Sequence, residues 1–220
     1  ELKHKNIDFG GGLERIAAAA INSFDVFETS MFKPLIQKLE EISGKRYKEN
    51  TSDMRIIADH LRGAYLLSAQ GLVPSNRKQG YALRRLIRRA ILRAQNLGIE
   101  QDFLAQIIPL IEKNYADLSD SILDTRKEVL PVLTREEQAF RKTLKRGLKE
   151  LHKLKESGLT GKELFMLQDT YGFPLELSTE ESKRAGINLN QNWREEFNQC
   201  LAKQRERSKT ASKGMFKGGL

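Results

Sequence analysis

The sequence predicts a mainly α-helical protein, with a bundle-like helical region that follows one short strand. From about residue 12, apolar residues recur three or four positions apart, which is the spacing of one face of an α-helix. Small polar residues, glycines and prolines separate these segments at positions typical of helix ends. Only residues 2–9 have a strand-like pattern, and its alternation is weak.

The first half of the chain predicts five helices, whose apolar faces begin at Leu13, Phe32, Met54, Leu83 and Phe103. Each face continues with apolar residues three or four positions further on, so each helix has one side that a core can bury.

Residues that favour helix ends flank the second and third of these helices. Thr29 and Ser30 are available as N-caps of the second helix, and Gly44 as its stop. Ser52 precedes the third helix, and Gly71 ends it. A short hydroxyl satisfies a backbone amide at a helix start, and glycine tolerates the left-handed conformation at a helix end.

Later helices are expected at about 131–157, at 177–185 and around Trp193. Pro109 should disturb the fifth helix, because proline lacks the amide that the helical ladder needs. The basic, polar and glycine-rich residues 203–220 have little to bury, which predicts a flexible tether.

A capping box predicts one more helix. Thr160 and Glu163 are three residues apart, so each side chain can satisfy the backbone amide of the other residue. This short helix should end near Asp169, because a Tyr-Gly-Phe-Pro turn follows.

The charge balance favours a polyanionic partner. The 220 residues contain 38 Lys plus Arg against 29 Asp plus Glu, a net charge of +9. Nucleic acid is therefore the first partner to consider, although charge alone is equally compatible with a basic protein that binds none.

The cysteine and histidine content predicts no metal site. Cys200 is the only cysteine, which excludes an internal disulfide and a cysteine-rich zinc cluster. His4, His60 and His152 lie far apart in the sequence. No apolar run approaches the ~20 residues of a membrane span, and no signal segment opens the chain, so a cytoplasmic location is expected.

The fourth helix and the loop before it are strongly basic. Between residues 77 and 93 there are seven basic residues and no acidic one. The arginines stack in two rows on either side of the apolar stripe, because members of a row are four residues apart. The basic residues expected to contact RNA are Arg77, Lys78, Arg84, Arg85, Arg88 and Arg89.

A polar loop that leads into such a helix has the composition of an RNA-binding element. Cationic side chains hold phosphates and supply affinity, while an amide such as Asn76 can read a base edge. The alternative is a solvated helix face with Asn76 as a turn residue, and the residues alone leave both interpretations open.

Three consecutive glycines precede the first helix. Gly10 to Gly12 let a ligand approach the backbone closely, and a helix start presents amides to an anion. Arg15, one turn into the helix, carries a guanidinium suited to phosphate oxygens. The alternative is a plain glycine turn followed by solvated helix residues.

Residues 6–16 resemble the third signature motif of class II aminoacyl-tRNA synthetases. Within that class they are most similar to the alanyl-tRNA synthetase family, whose motif reads Ile-Asp-Thr-Gly-Met-Gly-Leu-Glu-Arg. The resemblance implies that Arg15 and Gly12 bind ATP, and that Asp8 and Gly10 bind alanine.

Three more segments resemble the same family. Residues 73–90 are similar to its Pro-Ser-Asn, Gly-Tyr, Leu-Arg-Arg and Arg-Arg-Ala run, 59–62 to Asp-His-Ile-Arg, and 167–177 to Asp-Thr-Tyr-Gly-Phe-Pro. In that family an asparagine and an aspartate recognise a wobble G·U pair in the acceptor stem. The resemblance implies these roles for Asn76 and Asp169.

The resemblance also implies a domain organisation. Residues 1–24 would end a class II catalytic core, 25–202 would form a helical tRNA-recognition domain whose two subdomains divide near 115–130, and 203–220 would lead toward an editing domain. Both ends look cut, and the first two signature motifs are absent. We therefore expect the isolated chain not to activate alanine, although an enzyme containing it would use alanine, ATP with Mg²⁺ and tRNA(Ala).

Two other function classes stay open on the sequence. A stand-alone helical RNA-binding module would have a reading frame that begins near Glu1. A helical scaffold for protein binding would use its arginines only for solubility and would show no salt-dependent affinity for RNA.

Overall fold

The computed structural model describes residues 10–115, 126–154 and 158–215. Within these ranges the chain is mainly helical, as predicted, and two short 3-10 turns, Val26–Glu28 and Tyr47–Glu49, connect α-helices. The expected strand at residues 2–9 lies outside the described residues. The α-helices are α1 (Leu13–Ala20), α2 (Lys33–Ser43), α3 (Thr51–Ala69), α4 (Lys78–Asn96), α5 (Leu104–Lys113), α6 (Arg126–Lys153), α7 (Gly161–Tyr171), α8 (Leu175–Arg184) and α9 (Trp193–Met215).

The chain divides into two compact units, Glu1–Gln138 and Ala139–Leu220. The division falls inside α6. The long apolar stripe of α6 is shared: Leu133 is buried in its first half, and Phe140 and Leu144 are buried in its second half. One uninterrupted helix can therefore contribute to two cores. The expected break near 115–130 falls mostly on residues 116–125, which lie outside the described residues, and it stays a prediction.

The core of the first unit is formed mainly by α3 and α4, with α2 and α5 packed against α3. The predicted apolar stripe of α4 is confirmed, since Leu83, Ile87, Ala90, Ile91 and Ala94 have no exposed surface. The helix is amphipathic, so this burial leaves its polar edges to interact with other elements.

Helix α1 differs from the expectation of a buried apolar face. It ends at Ala20, and Ala18 is its only buried residue. Leu13 and Ile16 are 65% and 54% exposed, and Phe24 beyond the helix is fully exposed. The described residues therefore do not cover this face.

Two of the predicted helix ends are confirmed and the predicted N-caps are not. Gly44 ends α2 with φ of 67°, and Gly71 follows the end of α3 with φ of 83°. Thr29 donates its hydroxyl hydrogen to the Val26 carbonyl and does not cap α2, which begins after Phe32. Ser52 lies inside the first turn of α3.

The prolines interrupt the helices less than expected. Pro109 lies within α5, and Pro131 lies within α6. The backbone carbonyls that lose a partner belong to Ala105 and Lys127, four residues earlier, and both residues are exposed. Water can satisfy these carbonyls, so each helix continues through its proline.

In the second unit, α7 packs against α8 and α9. The predicted capping box is confirmed: the Thr160 hydroxyl accepts from the Glu163 amide at 3.3 Å, and the Glu163 carboxylate accepts from the Thr160 amide at 2.7 Å. Helix α7 ends at Tyr171, two residues after the predicted end, with Gly172 in the left-handed conformation. A single parallel bridge joins Leu159 and Leu189.

The expected tether is helical as far as Met215, because α9 runs without a break from Trp193. Eight of the eleven residues 203–213 are Lys, Arg, Gln, Glu or Ala, the other three are Ser or Thr, and none is proline or glycine. Lys, Arg, Gln, Glu and Ala favour a helix even when they have no apolar surface to bury.

Candidate functional site

The loop that precedes α4 is held tightly against the first turn of that helix. The Ser75 amide donates to the Gly80 carbonyl at 3.0 Å. A Cβ atom on Gly80 would lie 2.6 Å from the carbonyl oxygen of Val73 and 2.9 Å from Cβ of Ser75. Lys78 has φ of 49°, a conformation that non-glycine residues adopt rarely. The loop backbone therefore depends on glycine at position 80.

Asn76 lies exposed at the tip of this loop, and Arg84 binds it. Nη1 of Arg84 donates a hydrogen bond to Oδ1 of Asn76. Because a guanidinium can only donate, the amide oxygen of Asn76 faces Arg84. The amide nitrogen of Asn76, which is a donor, is then at the opposite end of the group.

Glu136 of α6 binds the row of arginines formed by Arg84 and Arg88. Nε of Arg88 donates to Oε1 of Glu136 at 2.7 Å, and Nε of Arg84 lies 3.4 Å from Oε2. The Glu136 residue is only 8% exposed. Burial lowers the pKa of Arg88, and the Glu136 carboxylate opposes this shift. These two guanidiniums thus compensate a buried negative charge.

The other row of arginines faces α3 through two of its members. Nη1 of Arg89 lies 3.3 Å from Nε2 of His60, whose Nδ1 is 3.1 Å from the Asp59 carboxylate. The hydrogen bond from His60 lowers the pKa of Asp59. Arg93 is buried and binds Asp53 at 3.1 Å. These contacts attach α4 to α3.

Three of the predicted cationic residues are exposed: Arg77, Lys78 and Arg85. Arg77 and Lys78 directly follow Asn76 in the chain, and Arg85 lies two turns further along α4. Of the predicted basic residues, Arg77, Lys78 and Arg85 are thus exposed, while the guanidiniums of Arg84, Arg88 and Arg89 lie close to protein side chains.

Asp169 is exposed in the last turn of α7, in the second unit. Its Oδ1 accepts a hydrogen bond from Nε2 of Gln204 in α9. One carboxylate oxygen is thus held by a neighbouring helix while the side chain stays at the surface. Asn76 belongs to the first unit.

The glycine segment lies at the start of α1. Gly12 is the N-cap residue, and Gly10, Gly12 and Arg15 are exposed. No atom lies within 4 Å of a Cβ built on Gly10. The intramolecular packing of the described residues therefore does not explain glycine at position 10. Asp8 lies outside the described residues.

Helix α1 is attached to α3 by an ion pair. The Glu14 carboxylate lies 2.8 Å from Nη1 of Arg62, and Nε of Arg62 donates to the Tyr115 hydroxyl. A backbone hydrogen bond and the Arg62 guanidinium lower the pKa of Glu14. This contact holds the residue next to Arg15, and it replaces the solvated Glu14 that one sequence interpretation assumed.

Sequence reasoning missed Glu136, Glu137 and Arg62. A signal for the first two was present, because they occupy the spacing of the apolar stripe of α6, between Leu133 and Phe140. Acidic residues at core positions require bound partners. Arg62 stood in a recognised motif, but nothing in its spacing identified Glu14 as its partner.

The described part of the chain has neither a cluster of metal ligands nor a membrane-spanning helix. Its His, Cys, Asp and Glu side chains form no group of three or more that could hold a metal ion. None of its helices is both long and apolar enough to cross a membrane.

Comparisons with known proteins extend over almost the whole chain. The family model described as tRNA synthetases class II (A) matches residues 1–217. The alanine-tRNA ligase of Streptococcus pneumoniae (strain Hungary19A-6) is 36% identical over 100% of this chain and 26% of the relative. That of Ligilactobacillus salivarius (strain UCC118) is 39% identical over 96% of the chain and 25% of the relative. The chain spans about a quarter of the length of these curated relatives.

Proposed function

Because the chain belongs to the class II tRNA synthetase (A) family, we propose that it is part of an alanine-tRNA ligase, which attaches alanine to tRNA(Ala) using ATP. The observation that carries this proposal is the identity of 36–39% to alanine-tRNA ligases over 96–100% of the chain. The proposed share of this chain in the reaction is recognition of the tRNA acceptor stem, together with one arginine of the ATP site. Such an enzyme would work in the cytoplasm.

Asn76 and Asp169 are proposed to read a wobble G·U pair in the acceptor stem. An A-form stem displays base edges and 2′-hydroxyls in its shallow minor groove. A G·U pair leaves the guanine 2-amino group unpaired there, and the Asp169 carboxylate can accept from it. The Asn76 amide nitrogen can donate to an acceptor such as uracil O2 or a ribose hydroxyl. The two side chains thus supply one acceptor and one donor.

Phosphate contacts are proposed for the exposed cations Arg77, Lys78 and Arg85. The exposure of all three, and the position of Arg77 and Lys78 beside Asn76, support this assignment. Arg88 and Arg89 also contribute positive potential, but their guanidiniums contact Glu136 and His60. Their loss would therefore disturb the attachment of α4 as well as RNA binding.

The glycine segment is proposed to bind ATP and alanine. Arg15 would contact the ATP phosphates with Gly12 allowing close approach, while Asp8 and Gly10 would contact alanine. The exposed guanidinium of Arg15 and the open space at Gly10 support these roles. Mg²⁺ would enter with the ATP phosphates. The exposed apolar face of α1 is proposed to pack on the rest of a catalytic core, since its burial would be favourable.

Binding of RNA minihelices tests the tRNA-recognition proposal. Two minihelices that differ only in a G·U or a G·C pair are titrated with the protein by fluorescence anisotropy. A contact of this kind contributes ~1 to 3 kcal/mol, so the G·U stem should bind roughly 5- to 150-fold more tightly. Asn76→Ala and Asp169→Ala should each reduce this ratio. Asn198→Ala, an exposed asparagine on α9, is the matched control.

The same titrations separate the competing functions. A helical protein scaffold would bind neither stem in a salt-dependent manner. A general RNA-binding module would bind both stems equally, with a clear salt dependence. If the protein discriminates but both Asn76→Ala and Asp169→Ala discriminate as well as the wild type, the assigned readout residues are wrong.

A further inference from the structure

We propose that Arg84, whose Nε lies 3.4 Å from the buried carboxylate of Glu136, is a positioning residue that determines which end of the Asn76 amide faces the RNA. This inference rests on the proposed function, because it concerns how the same site reads the stem. It assigns to Arg84 a role different from the phosphate contact that its place in the arginine row suggested.

Glu136 is held in place by contacts with α4 and by the burial of the next residue. Its carboxylate binds Arg88 at 2.7 Å and lies 3.4 Å from Nε of Arg84, so it spans two consecutive turns of α4. The next residue, Glu137, is fully buried and accepts the Phe103 amide at 3.1 Å. Because this turn of α6 is bound to α4 through Glu136 and to the start of α5 through Glu137, the Glu136 carboxylate cannot move with Arg84 toward solvent.

Arg84 sets the orientation of the Asn76 amide. Arg84 reaches from Glu136 to Oδ1 of Asn76, and its side chain is only 22% exposed. A guanidinium carries donors and no acceptor. A flipped amide would place the NH₂ group of Asn76 against Arg84, where two donors repel each other. Arg84 therefore selects the orientation in which the Asn76 nitrogen is presented outward.

The backbone of the loop that carries Asn76 is also fixed. The amide of Ser75 donates to the Gly80 carbonyl, and Gly80 leaves no space for a Cβ atom next to Val73. Both the backbone and the side chain of Asn76 are therefore held before RNA arrives. A preorganised group loses less conformational freedom on binding, so it discriminates better than a mobile one.

The positioning role and a phosphate role make different predictions about salt. A side chain that neutralises a phosphate adds to the slope of log K against log salt concentration, whereas a positioning side chain does not. A phosphate contact also acts on G·U and G·C stems alike. Loss of positioning instead changes the ratio of the affinities for the two stems.

The experiment measures the affinity of Arg84→Gln for the G·U and G·C minihelices at several salt concentrations. We expect the G·U preference to fall by about fivefold or more, while the affinity for the G·C stem and the salt slope stay at the wild-type values. Adding Arg84→Gln to Asn76→Ala should cause little further loss of the ratio, because the two residues act as a unit. Glu136→Gln should lower the ratio in the same direction.

Two further variants serve as controls. Arg77→Gln removes an exposed cation beside Asn76. It should weaken the binding of both stems by the same factor and reduce the salt slope by about 1. If Arg84→Gln fails to fold, as judged by circular dichroism, Arg84→Lys replaces it. Lysine keeps the charge, but its single ammonium group cannot lie beside the Glu136 carboxylate and also donate to Asn76 as the longer guanidinium does, so it should also lose the preference.

The inference is overturned if Arg84→Gln retains the G·U preference. It is also overturned if Arg84→Gln binds both stems more weakly by the same factor and with a smaller salt slope. In either case the wild type still discriminates and the proposed function stands. A wild-type protein that binds both stems equally contradicts the proposed function, and the positioning role with it.

Discussion

Glu137 in α6 accepts a hydrogen bond from the backbone amide of Leu104, the first residue of α5, at 3.1 Å, although 33 positions separate them in the sequence. Its other carboxylate oxygen accepts from the amide of the preceding residue, Phe103. The start of α5 thus lacks a local cap and is capped by a buried side chain from another helix. The negative charge also interacts favourably with the helix dipole.

Glu137→Gln is therefore expected to destabilise the first unit. The amide keeps one acceptor oxygen, but its NH₂ group faces a backbone donor, and one buried amide loses its partner. The free energy of unfolding should fall by about 1–3 kcal/mol, measured by urea unfolding. Glu128→Gln, the same substitution at an exposed position of α6, should have a much smaller effect. Equal effects of the two substitutions would contradict the capping role.

Gly80→Ala should displace the loop that carries Asn76. The added Cβ would come within 2.6 Å of the Val73 carbonyl, so the loop must move away from α4. We expect a several-fold loss of the G·U preference in minihelix binding. The control is Gly63→Ala on α3, whose Cβ would meet only Leu86 at an ordinary 3.8 Å. That control should preserve the preference and, as a glycine replaced within a helix, raise stability by up to about 1 kcal/mol.

Gly161→Ala should destabilise the second unit. Gly161 begins α7, and a Cβ there would overlap the backbone of Trp193 and Phe197 in α9 and lie 2.6 Å from Cβ of Glu196. Backbone atoms cannot rotate away, so a loss of about 1–3 kcal/mol is expected, measured by chemical unfolding. Gly147→Ala on α6 would meet side-chain atoms at 3.5 Å and should be tolerated. An unchanged stability of Gly161→Ala would show that the two helices pack less closely than described.

Asp25→Asn should reduce stability in a pH-dependent manner. The Asp25 carboxylate accepts from the Tyr47 hydroxyl at 2.6 Å and from Arg55 at 2.7 Å. Burial acts to raise the pKa of Asp25, but these hydrogen bonds, with that from the Phe27 amide, lower it on balance below the ordinary value of 3.8. A depressed carboxyl pKa in the folded state stabilises the protein above the unfolded pKa, and this stabilisation is lost as pH falls through the folded pKa.

Near pH 7 the free energy of unfolding of the wild type should therefore be about 1–3 kcal/mol higher than that of Asp25→Asn. This difference should shrink as the pH falls below about 4. Urea unfolding of both proteins at pH 7 and pH 3 measures this difference. Glu49→Gln, the same carboxylate-to-amide change at an exposed position, is the control. A difference that stays constant between the two pH values would show that the charge of Asp25 does not contribute.

The same cluster raises the pKa of Tyr47 to about 12, through burial and the adjacent Asp25 carboxylate. Since a folded pKa above the unfolded one favours the neutral phenol in the folded state, this contribution is present below about pH 10 and is lost as pH rises through about 12.

Local patterns in the sequence predicted the helices well. The apolar stripe of α4, the capping box of Thr160 and Glu163, and the helix end at Gly44 are all confirmed. Each depends on residues within one or two turns of each other, so spacing alone contains the information. The N-caps of α2 and α3 were wrong because the presence of a serine or threonine does not determine whether its hydroxyl reaches a backbone amide.

The sequence by itself determined that this chain is helical, that α4 buries one apolar stripe between rows of arginines, and that its motifs resemble those of class II tRNA synthetases. Only the tertiary structure decided which arginines are exposed and which bind carboxylates. Arg88 and Glu136 are 48 residues apart, and the ion pair exists because α6 packs against α4 at that turn. Helical periodicity is a local property, whereas the partner of a charged side chain depends on which distant segments the core brings together.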